Sequence, residues 1–234
     1  MAGHRGGAVY VGAVALRVLS WNLFHGRAVP GAGRDLLEEY AAALAGWAWD
    51  VALLQEVPPW WPDPLAAAAG ATPFAVRTSR NAALGLRRAV AIRWPDAIKS
   101  NGGGANAILL RGDRRAVEQR SALLRRFPER RRLHAVRLAD GGWLGNLHAQ
   151  GSAAEARRAG TVLSGWAGPD APAVLGGDFN RPDPDVSGFA VAARSGVDLV
   201  LSRGWRGESV AMPERGQLSD HAPVAVTLVP THGP

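Results

Sequence analysis

Apolar residues recur along the chain with two periods, one typical of strands and one typical of helices. Short apolar or alternating runs predict eight strands, over 16–21, 51–54, 105–111, 133–138, 143–148, 173–175, 197–201 and 224–229. A helix is predicted over 33–47, and a second over 152–166, where Ser152 and Glu155 have the spacing of a capping box. The proline-rich segment 58–64 is predicted to be a loop. Because strands outnumber helices and follow one another directly, a mixed α/β sandwich is favoured over a doubly wound sheet.

The length and composition indicate one globular domain. The chain has 234 residues, of which 47% are hydrophobic, and this is enough to bury a substantial core. It has no cysteine, so disulfides and thiolate metal sites are excluded and any metal must use oxygen or imidazole ligands. We predict a single domain over 16–230, with a poorly ordered segment over 1–15.

The N-terminal segment shares two features with a targeting signal. Residues 8–16 (AVYVGAVAL) follow His4 and Arg5 and resemble a short signal region, but no clean cleavage site follows them. We therefore interpret this segment as non-targeting and expect a cytoplasmic protein, without excluding secretion. No apolar run is long enough for a transmembrane helix. We expect a monomer, since no feature implies a stable protein partner.

The positive charge is concentrated in one segment. The net charge is +7, and residues 111–137 alone contain ten arginines against three acidic residues. A basic strip of this kind attracts a polyanion such as nucleic acid or an anionic membrane. The competing interpretation is compositional, because Lys99 is the only lysine in a chain rich in Ala, Gly and Pro. Charge alone leaves both interpretations open.

Polar residues recur next to the apolar strands. Asn22, Glu56, His148 and Asp178 each follow an apolar run, Asp198 opens one, and Asp220 and His221 precede one. Strand ends can direct side chains into a shared cleft, and a carboxylate that follows apolar residues needs a cation. Oxygen-rich ligand sets without thiolate suit Mg²⁺ or Mn²⁺.

Five short motifs occur in an order that resembles the endonuclease/exonuclease/phosphatase superfamily, and its DNase-I-like members in particular. They are LSWNL at 19–23, LQE at 54–56, GNLH at 145–148, GDFN at 177–180 and SDH at 219–221. The resemblance extends over 16–229. It implies a four-layer α/β/β/α sandwich, in which two packed mixed β-sheets are flanked by helices.

The resemblance also implies a role for each motif residue. Glu56 would be the main ligand of Mg²⁺ or Mn²⁺, with Asn22 beside it and Asp220 joining them. The predicted catalytic residues are His148, Asp178, Asn180, Asp198 and His221. Asp178 would orient or deprotonate the attacking water, Asn180 would hold that water or a phosphate oxygen, and Asp198 would orient His221. Both histidines would face the phosphate, and the residue that takes the water proton, Asp178 or His221, is left open.

Four further residues are predicted to contact substrate, each with a structural alternative. Asn106 would reach a phosphate or belong to a flexible turn after the glycine-rich stretch 100–106, and Arg181 would reach a phosphate. Trp60 and Trp61 would stack on a base or sugar, or would pack the proline-rich loop onto the core. The remaining histidines have no motif support and are interpreted as surface or structural residues: His4, His25, His134 and His232.

Three functions remain open. The first is a metal-dependent nuclease that cleaves the phosphodiesters of DNA or RNA by attack of an activated water. The second is a phosphodiesterase or phosphatase for a small molecule or lipid headgroup, in which case the arginine strip is compositional. The third is an inactive binding module on the same fold. Salt dependence separates the first two, because contacts with several backbone phosphates make binding fall steeply with salt.

Overall fold

The computed structural model describes residues 15–231. The prediction of a poorly ordered segment over 1–15 concerns residues that lie, apart from Ala15, outside this range. Among the residues described, no helix is long and apolar enough to cross a membrane.

The chain forms two six-stranded mixed sheets. The first has the order β11–β12–β1–β2–β4–β3, and the second has the order β5–β6–β7–β8–β10–β9. The first sheet contains β1 (Leu16–Asn22), β2 (Val51–Val57), β3 (Ala71–Arg77), β4 (Ala105–Arg111), β11 (Trp205–Ala211) and β12 (Val224–Pro230). The second contains β5 (Ala116–Arg125), β6 (Arg131–Leu138), β7 (Trp143–His148), β8 (Ala173–Asp178), β9 (Ala190–Ser195) and β10 (Asp198–Arg203). The β1–β2 and β7–β8 pairs are parallel, and the other pairs are antiparallel.

Three helices flank the sheets and complete the predicted four-layer sandwich: α1 (Leu37–Gly46), α2 (Pro62–Ala69) and α5 (Ala153–Ala167). The helices α3 (Leu84–Arg93) and α4 (Pro95–Ile98) lie in the connection between β3 and β4 and pack against each other. One apolar cluster lies between the sheets and includes Val18, Leu53 and Val174. A second lies between the first sheet and α1 and α2, and a third between the second sheet and α5. The three clusters correspond to the three interfaces of a four-layer fold.

The eight predicted strands are confirmed, with small shifts of their ends. The four edge strands are not predicted by the sequence pattern: β3 and β11 of the first sheet, and β5 and β9 of the second. Edge strands are half exposed, and their apolar signal is correspondingly weak: β5 has one buried residue, Leu124. α3 has none, so its sequence shows no core-facing stripe.

Two local predictions are wrong. Segment 58–64 is not wholly a loop, because α2 begins at Pro62; proline is tolerated in the first turn, where its missing N–H has no partner to lose. Ser152 does occupy the N-cap position of α5, but its side chain makes no capping hydrogen bond. Glu155 instead accepts the Gln150 N–H at 2.7 Å and pairs with Arg125, so it joins the helix to the second sheet.

A buried amide pair joins the two sheets beneath the strand ends. Gln55 Nε2 donates to Asn146 Oδ1 at 2.8 Å, and Asn146 Nδ2 donates to the carbonyls of Leu54 and Ala107, each at 2.8 Å. Both amides are fully buried, where a displaced partner would leave polar atoms unsatisfied. The pair therefore fixes β2 of the first sheet against β7 of the second. It also fixes the side chains at the ends of these two strands.

Candidate active site

A cleft of about 460 Å³ opens where β1, β2, β7 and β8 end. Asn22, His148 and Asp178 are the last residues of β1, β7 and β8. The predicted site residues that line the cleft are Glu56, His148, Asp178, Asn180 and His221. The expectation that the strand ends converge on one cleft is met, because the two parallel pairs end at the same edge of the sandwich.

Asp178 lies at the centre of the cleft floor. Its Oδ2 accepts from Asn22 Nδ2 at 3.0 Å, and its Oδ1 accepts the Asn180 N–H at 2.8 Å. Burial, followed by the charge of Asp198, raises the pKa of Asp178 to about 6. The strand reaches this position through Gly177, whose φ is +140° and where a Cβ would lie 1.9 Å from the Leu147 carbonyl oxygen. The glycine that precedes Asp178 is thus required by the close packing of β7 against β8.

His221 and Asp198 form a hydrogen-bonded pair. His221 Nδ1 lies 2.7 Å from Asp198 Oδ2, and His221 Nε2 lies 3.9 Å from Asp178 Oδ2. Burial opposes the imidazolium, but the hydrogen bond and charge of Asp198, with the charges of Asp178 and Asp220, raise the pKa of His221 to about 9. Ser219 positions this loop, since its hydroxyl donates to Asn22 O and accepts the His221 N–H. At neutral pH His221 is therefore a cation directed at the cleft.

His148 is a buried, neutral imidazole. Arg131 Nη1 lies 2.8 Å from its Nδ1 and 3.1 Å from its Nε2, and burial followed by the charge of Arg131 holds the pKa of His148 well below its usual value. Because a guanidinium only donates, the ring nitrogen that accepts from Arg131 carries no proton, and this is Nδ1 when the ring proton is on Nε2. That Nε2 lies 3.6 Å from both Glu56 Oε1 and Asp178 Oδ2.

His25 also lies in the cleft, so its interpretation as a residue outside the site is wrong. Its Nε2 is 3.1 Å from Glu56 Oε2, and its Nδ1 is 3.2 Å from the Gly103 carbonyl oxygen. A carbonyl and a carboxylate both only accept, so the neutral ring donates to one of these two oxygens and not to both. Burial lowers the pKa of His25 despite Glu56, which favours the neutral ring. In the tautomer that donates to Gly103, Nε2 presents its lone pair beside a carboxylate oxygen.

Strained backbone is concentrated around this cleft. Five residues with left-handed φ and a side chain line it: Phe24, His25, Glu56, Lys99 and Asn180, with φ between 49° and 54°. Such conformations cost of order 1–3 kcal/mol each and persist where the surrounding structure enforces them. Here they direct side chains from loops and strand ends towards one space.

The side chains present fit a hard divalent cation. The donors around the cleft are carboxylate, amide and imidazole groups. Ligand atoms of Asp178, Asp198 and His221 also lie within 4.8 Å of one another, but His221 must lose its proton before it can bind a metal. Asp198 Oδ1 is buried without a hydrogen-bond partner in the described residues. No arginine in 15–231 lies within ion-pair distance of Asp178 or Asp198, so their charge is not offset by a permanent cation of the chain. Asp220, predicted as a third ligand, lies at the rim, with 44% of its side chain exposed and Oδ1 3.9 Å from His221 Nε2.

The four predicted substrate contacts do not line the cleft. Asn106 is fully buried and donates to the Arg132 carbonyl. Trp61 is 2% exposed and packs on Tyr40, with ring centroids 5.3 Å apart, and Trp60 packs against the same apolar cluster, which agrees with the packing alternative. Arg181 donates to the Asp183 carbonyl at 3.0 Å, next to its own turn.

The arginines of 111–137 do not form one surface. Arg111 points into the first sheet's helical layer, and Arg125 pairs with Glu155 of α5. Arg120 and Arg137 share Glu118 on the outer face of β5 and β6. Other members lie nearer the cleft, where Arg131 contacts His148. The strip is therefore divided between structural contacts and the cleft margin.

Residues missed in the sequence include His25, Lys99, Glu129 and Arg131, all of which line the cleft. His25 had a usable signal, since it lies three residues after Asn22 in the turn that follows β1. Arg131 had none without the topology: it begins β6, and it reaches the cleft only because β6 runs antiparallel to β7.

The chain belongs to the endonuclease/exonuclease/phosphatase family, whose model matches residues 19–221. This family acts in general on phosphoric esters and generally uses divalent metal ions. Among curated proteins, none matches this chain in sequence.

Solved structures show the same fold at low sequence identity. The endonuclease/exonuclease/phosphatase of Beutenbergia cavernae is 19% identical, with 94% of this chain and 72% of that chain covered and a TM-score of 0.66. TDP2 of Caenorhabditis elegans is 17% identical, with 92% and 74% covered and a TM-score of 0.62. A mannosyl-6-phosphatase of Bacteroides thetaiotaomicron is 16% identical, with 92% and 99% covered and a TM-score of 0.62. At these identities the likeness concerns the fold alone.

Proposed function

We propose that the protein is a divalent-metal-dependent phosphodiesterase, and that its substrate is a nucleic acid strand. One arrangement carries this proposal. Asp178 Oδ2 lies within 3.9 Å of the Nε2 atoms of both His148 and His221, and Glu56 Oε1 is 3.6 Å from the same His148 atom. Two carboxylates and two imidazoles therefore surround one open space, which supports roles as base, metal ligand and proton donors in the hydrolysis of a phosphoester.

Glu56 and His25 are the pair best suited to hold the metal. His25 Nε2 and Glu56 Oε2 face each other at 3.1 Å, and in the tautomer with the ring proton on Nδ1 one cation can bind both atoms. Asn22 and Asp220 are proposed to complete the ligand set. A bound Mg²⁺ or Mn²⁺ supplies Lewis-acid stabilisation of the phosphoryl charge and lowers the pKa of bound water.

The proposed roles of the other residues follow from their protonation. Asp178, with its pKa near 6, takes the proton of the attacking water, because His221 already holds a proton at neutral pH. Asn180 orients that water. His221, held by Asp198, and the Nε2–H of His148 donate to phosphate oxygens, and His221 can pass its proton to the leaving oxygen.

A small phosphorylated metabolite is the second candidate. Its support is that Arg111, Arg120, Arg125 and Arg137 are occupied by internal contacts, and that a mannosyl-6-phosphatase shares the fold. A small substrate occupies the cleft alone, so its turnover is nearly independent of salt.

The test is hydrolysis of single-stranded RNA, supercoiled DNA, bis-p-nitrophenyl phosphate and a sugar phosphate, with Mg²⁺ or Mn²⁺, at two salt concentrations. Cleavage of nucleic acid that fades with salt and stops with EDTA is the expected result. Turnover of only a small ester, indifferent to salt, supports the second candidate. Turnover of any ester that persists in EDTA contradicts the metal dependence.

Metal binding is tested separately by calorimetric titration with Mn²⁺. Glu56→Gln and His25→Ala are each expected to weaken binding ~10-fold or more, as loss of a direct ligand or its partner does. His134→Gln, which alters a buried histidine outside the cleft, is the matched control and should bind Mn²⁺ as the wild type does. Unchanged affinity in His25→Ala would remove His25 from the ligand set.

A further inference from the structure

A second cavity with four arginines lies beside the cleft. It has a volume of about 530 Å³ and lies between the turn that follows β3 and the hairpin that joins β5 to β6. We call it the arginine cavity; its cationic lining residues are Arg77, Arg80, Arg126 and Arg130. Glu129 is its only acidic lining residue among those described.

Three of these cations have no acidic partner. Arg80 pairs with Glu129 Oε1 at 2.5 Å, whereas no carboxylate of residues 15–231 lies within ion-pair distance of Arg77, Arg126 or Arg130. Most other arginines of 111–137 contact carboxylates or carbonyls. The charges of Arg126 and Arg130, which belong to the same strip, are therefore available to a ligand in this cavity. Like charges gathered around one concavity repel one another unless an anion fills it.

The arginine cavity is physically continuous with the cleft. Glu129 lines both, and its second oxygen accepts from Arg131 Nη2 at 2.8 Å, while Arg131 contacts His148. A small void of about 20 Å³ lies between them and is lined by residues of both, including Arg80 of the cavity and Glu56 of the cleft. The hairpin is held in place by Ser79, whose hydroxyl accepts the Arg130 N–H at 2.5 Å. An anion in the cavity would therefore be a near neighbour of a phosphate in the cleft.

An exposed aromatic ring stands at the same hairpin. Phe127, which lies between Arg126 and Glu129 in sequence, is 83% exposed, the largest exposed fraction among the large apolar residues described. Base–aromatic stacking tolerates any sequence, and together with a cationic groove it is how single strands are bound. A lone small phosphoester has neither a second phosphate nor a base at this distance from the cleft.

We propose that the arginine cavity binds a phosphate that flanks the scissile phosphodiester on a single-stranded nucleic acid, with Phe127 stacking on a neighbouring base. This inference deepens the proposed function and rests on it for the position of the scissile phosphate. Arg77, Arg126 and Arg130 contact the strand backbone without reading its sequence, since phosphate contacts position and do not specify. The hairpin thus replaces Trp60 and Trp61 as the aromatic contact.

The test measures binding without turnover, in the Asp178→Asn background with Mg²⁺ present. The probe is a short fluorescein-labelled single-stranded DNA, followed by anisotropy over a range of salt concentrations. Arg126→Ala/Arg130→Ala is expected to raise Kd about 10-fold at low salt and to reduce the slope of log Kd against log salt by ~0.7 per lost phosphate contact. Phe127→Ala is expected to raise Kd about 10-fold, and Phe127→Trp to restore it.

The matched control is Arg157→Ala/Arg206→Ala. It removes the same charge from α5 and from β11, at the opposite edge of the first sheet from β3. An equal effect of the two double variants would overturn the proposal, because net charge alone would then explain the loss of binding. Wild-type binding of anionic phosphatidylglycerol vesicles without oligonucleotide binding would also overturn it. Salt-dependent oligonucleotide binding that needs Arg126 and Arg130, in a protein that cleaves no nucleic acid, would uphold the cavity and reject the nuclease function.

Discussion

The two ends of the sandwich carry similar side chains in opposite electrostatic states. At the end away from the cleft, burial opposes the charge of Asp50, but three hydrogen bonds from Arg17 outweigh it and lower the pKa of Asp50. At the cleft, burial raises the pKa values of both Asp178 and Asp198, and the charge of Asp198 adds to the effect on Asp178. Within residues 15–231 both carboxylates face histidines and no arginine. A carboxylate with its own arginine holds strands together, whereas one without it is available to water and to a cation.

The arginines show the same division. Arg111 donates to three main-chain carbonyls, those of Ala69, Trp47 and Leu44, at 2.8–2.9 Å, and its guanidinium lies 3.8 Å from the Trp49 ring centroid. Arg126 and Arg130, from the same basic strip, make no such side-chain contacts in the described residues and line the arginine cavity. One charge pattern in the sequence thus contains both structural and binding residues.

The largest expected effect separates the two aspartates. Asp178→Asn removes the proposed base and is expected to lower kcat by ~10²–10⁴, because a general base contributes a factor of that size. Its stability at neutral pH should not fall, since the ionised, buried carboxylate is itself unfavourable. Asp50→Asn should keep its activity and lose about 1–2 kcal/mol of stability with the Arg17 contacts.

Steady-state kinetics and urea unfolding of the two variants make this measurement. The comparison between the two ends fails if Asp50→Asn loses activity as Asp178→Asn does. It also fails if Asp178→Asn is the less stable of the two, because the cleft carboxylate would then be supporting the fold.

The next effect concerns the basic strip. Arg111→Ala removes the donor of the Ala69 and Trp47 carbonyls, one of the two donors of the Leu44 carbonyl and a cation–π contact, so it should lower the free energy of unfolding by about 2–4 kcal/mol. Arg115→Ala, an exposed neighbour with the same charge, is the control and should change it by less than ~0.5 kcal/mol. Urea unfolding decides between them, and equal losses would show that Arg111 acts only through its charge.

Much of the fold and the centre of the site could be predicted because their signals are local. A polar residue at the end of an apolar run, such as Asn22 or Asp178, can be placed at a strand end from its sequence neighbours alone. Margin residues depend on the partners that tertiary structure brings to them. Asn106 is buried and donates to the Arg132 carbonyl, and Phe127 is exposed on a hairpin. The residues next to them in sequence predict neither position. The hairpin follows β5, an edge strand whose apolar pattern is too weak to predict it. The arginine cavity, which this hairpin lines, could therefore not be predicted either.

The smallest expected effect is a pH dependence from a histidine that the cleft does not use. His134 is fully buried in β6, and Gln119 Nε2, which also donates to the Ala75 carbonyl, lies 3.0 Å from its Nε2. An amide nitrogen only donates, so His134 Nε2 is the acceptor and the ring is neutral. Burial lowers the pKa of His134 to about 3.

The sign of the pH dependence follows from this shift. Below about pH 6.5 the unfolded chain binds a proton at His134 and the folded chain does not, so stability falls by ~1.4 kcal/mol per pH unit until about pH 3. Asp178 acts in the opposite direction: its folded pKa near 6 exceeds the unfolded value of 3.8, so stability rises as pH falls between them. Urea unfolding at several pH values between 7 and 4 should therefore show a shallower acid loss for His134→Gln than for the wild type, and a steeper one for Asp178→Asn. Suppose that stability falls with pH equally in the wild type and in His134→Gln. The acid sensitivity would then arise at the cleft, and the distinction between structural and functional side chains would not apply to the histidines.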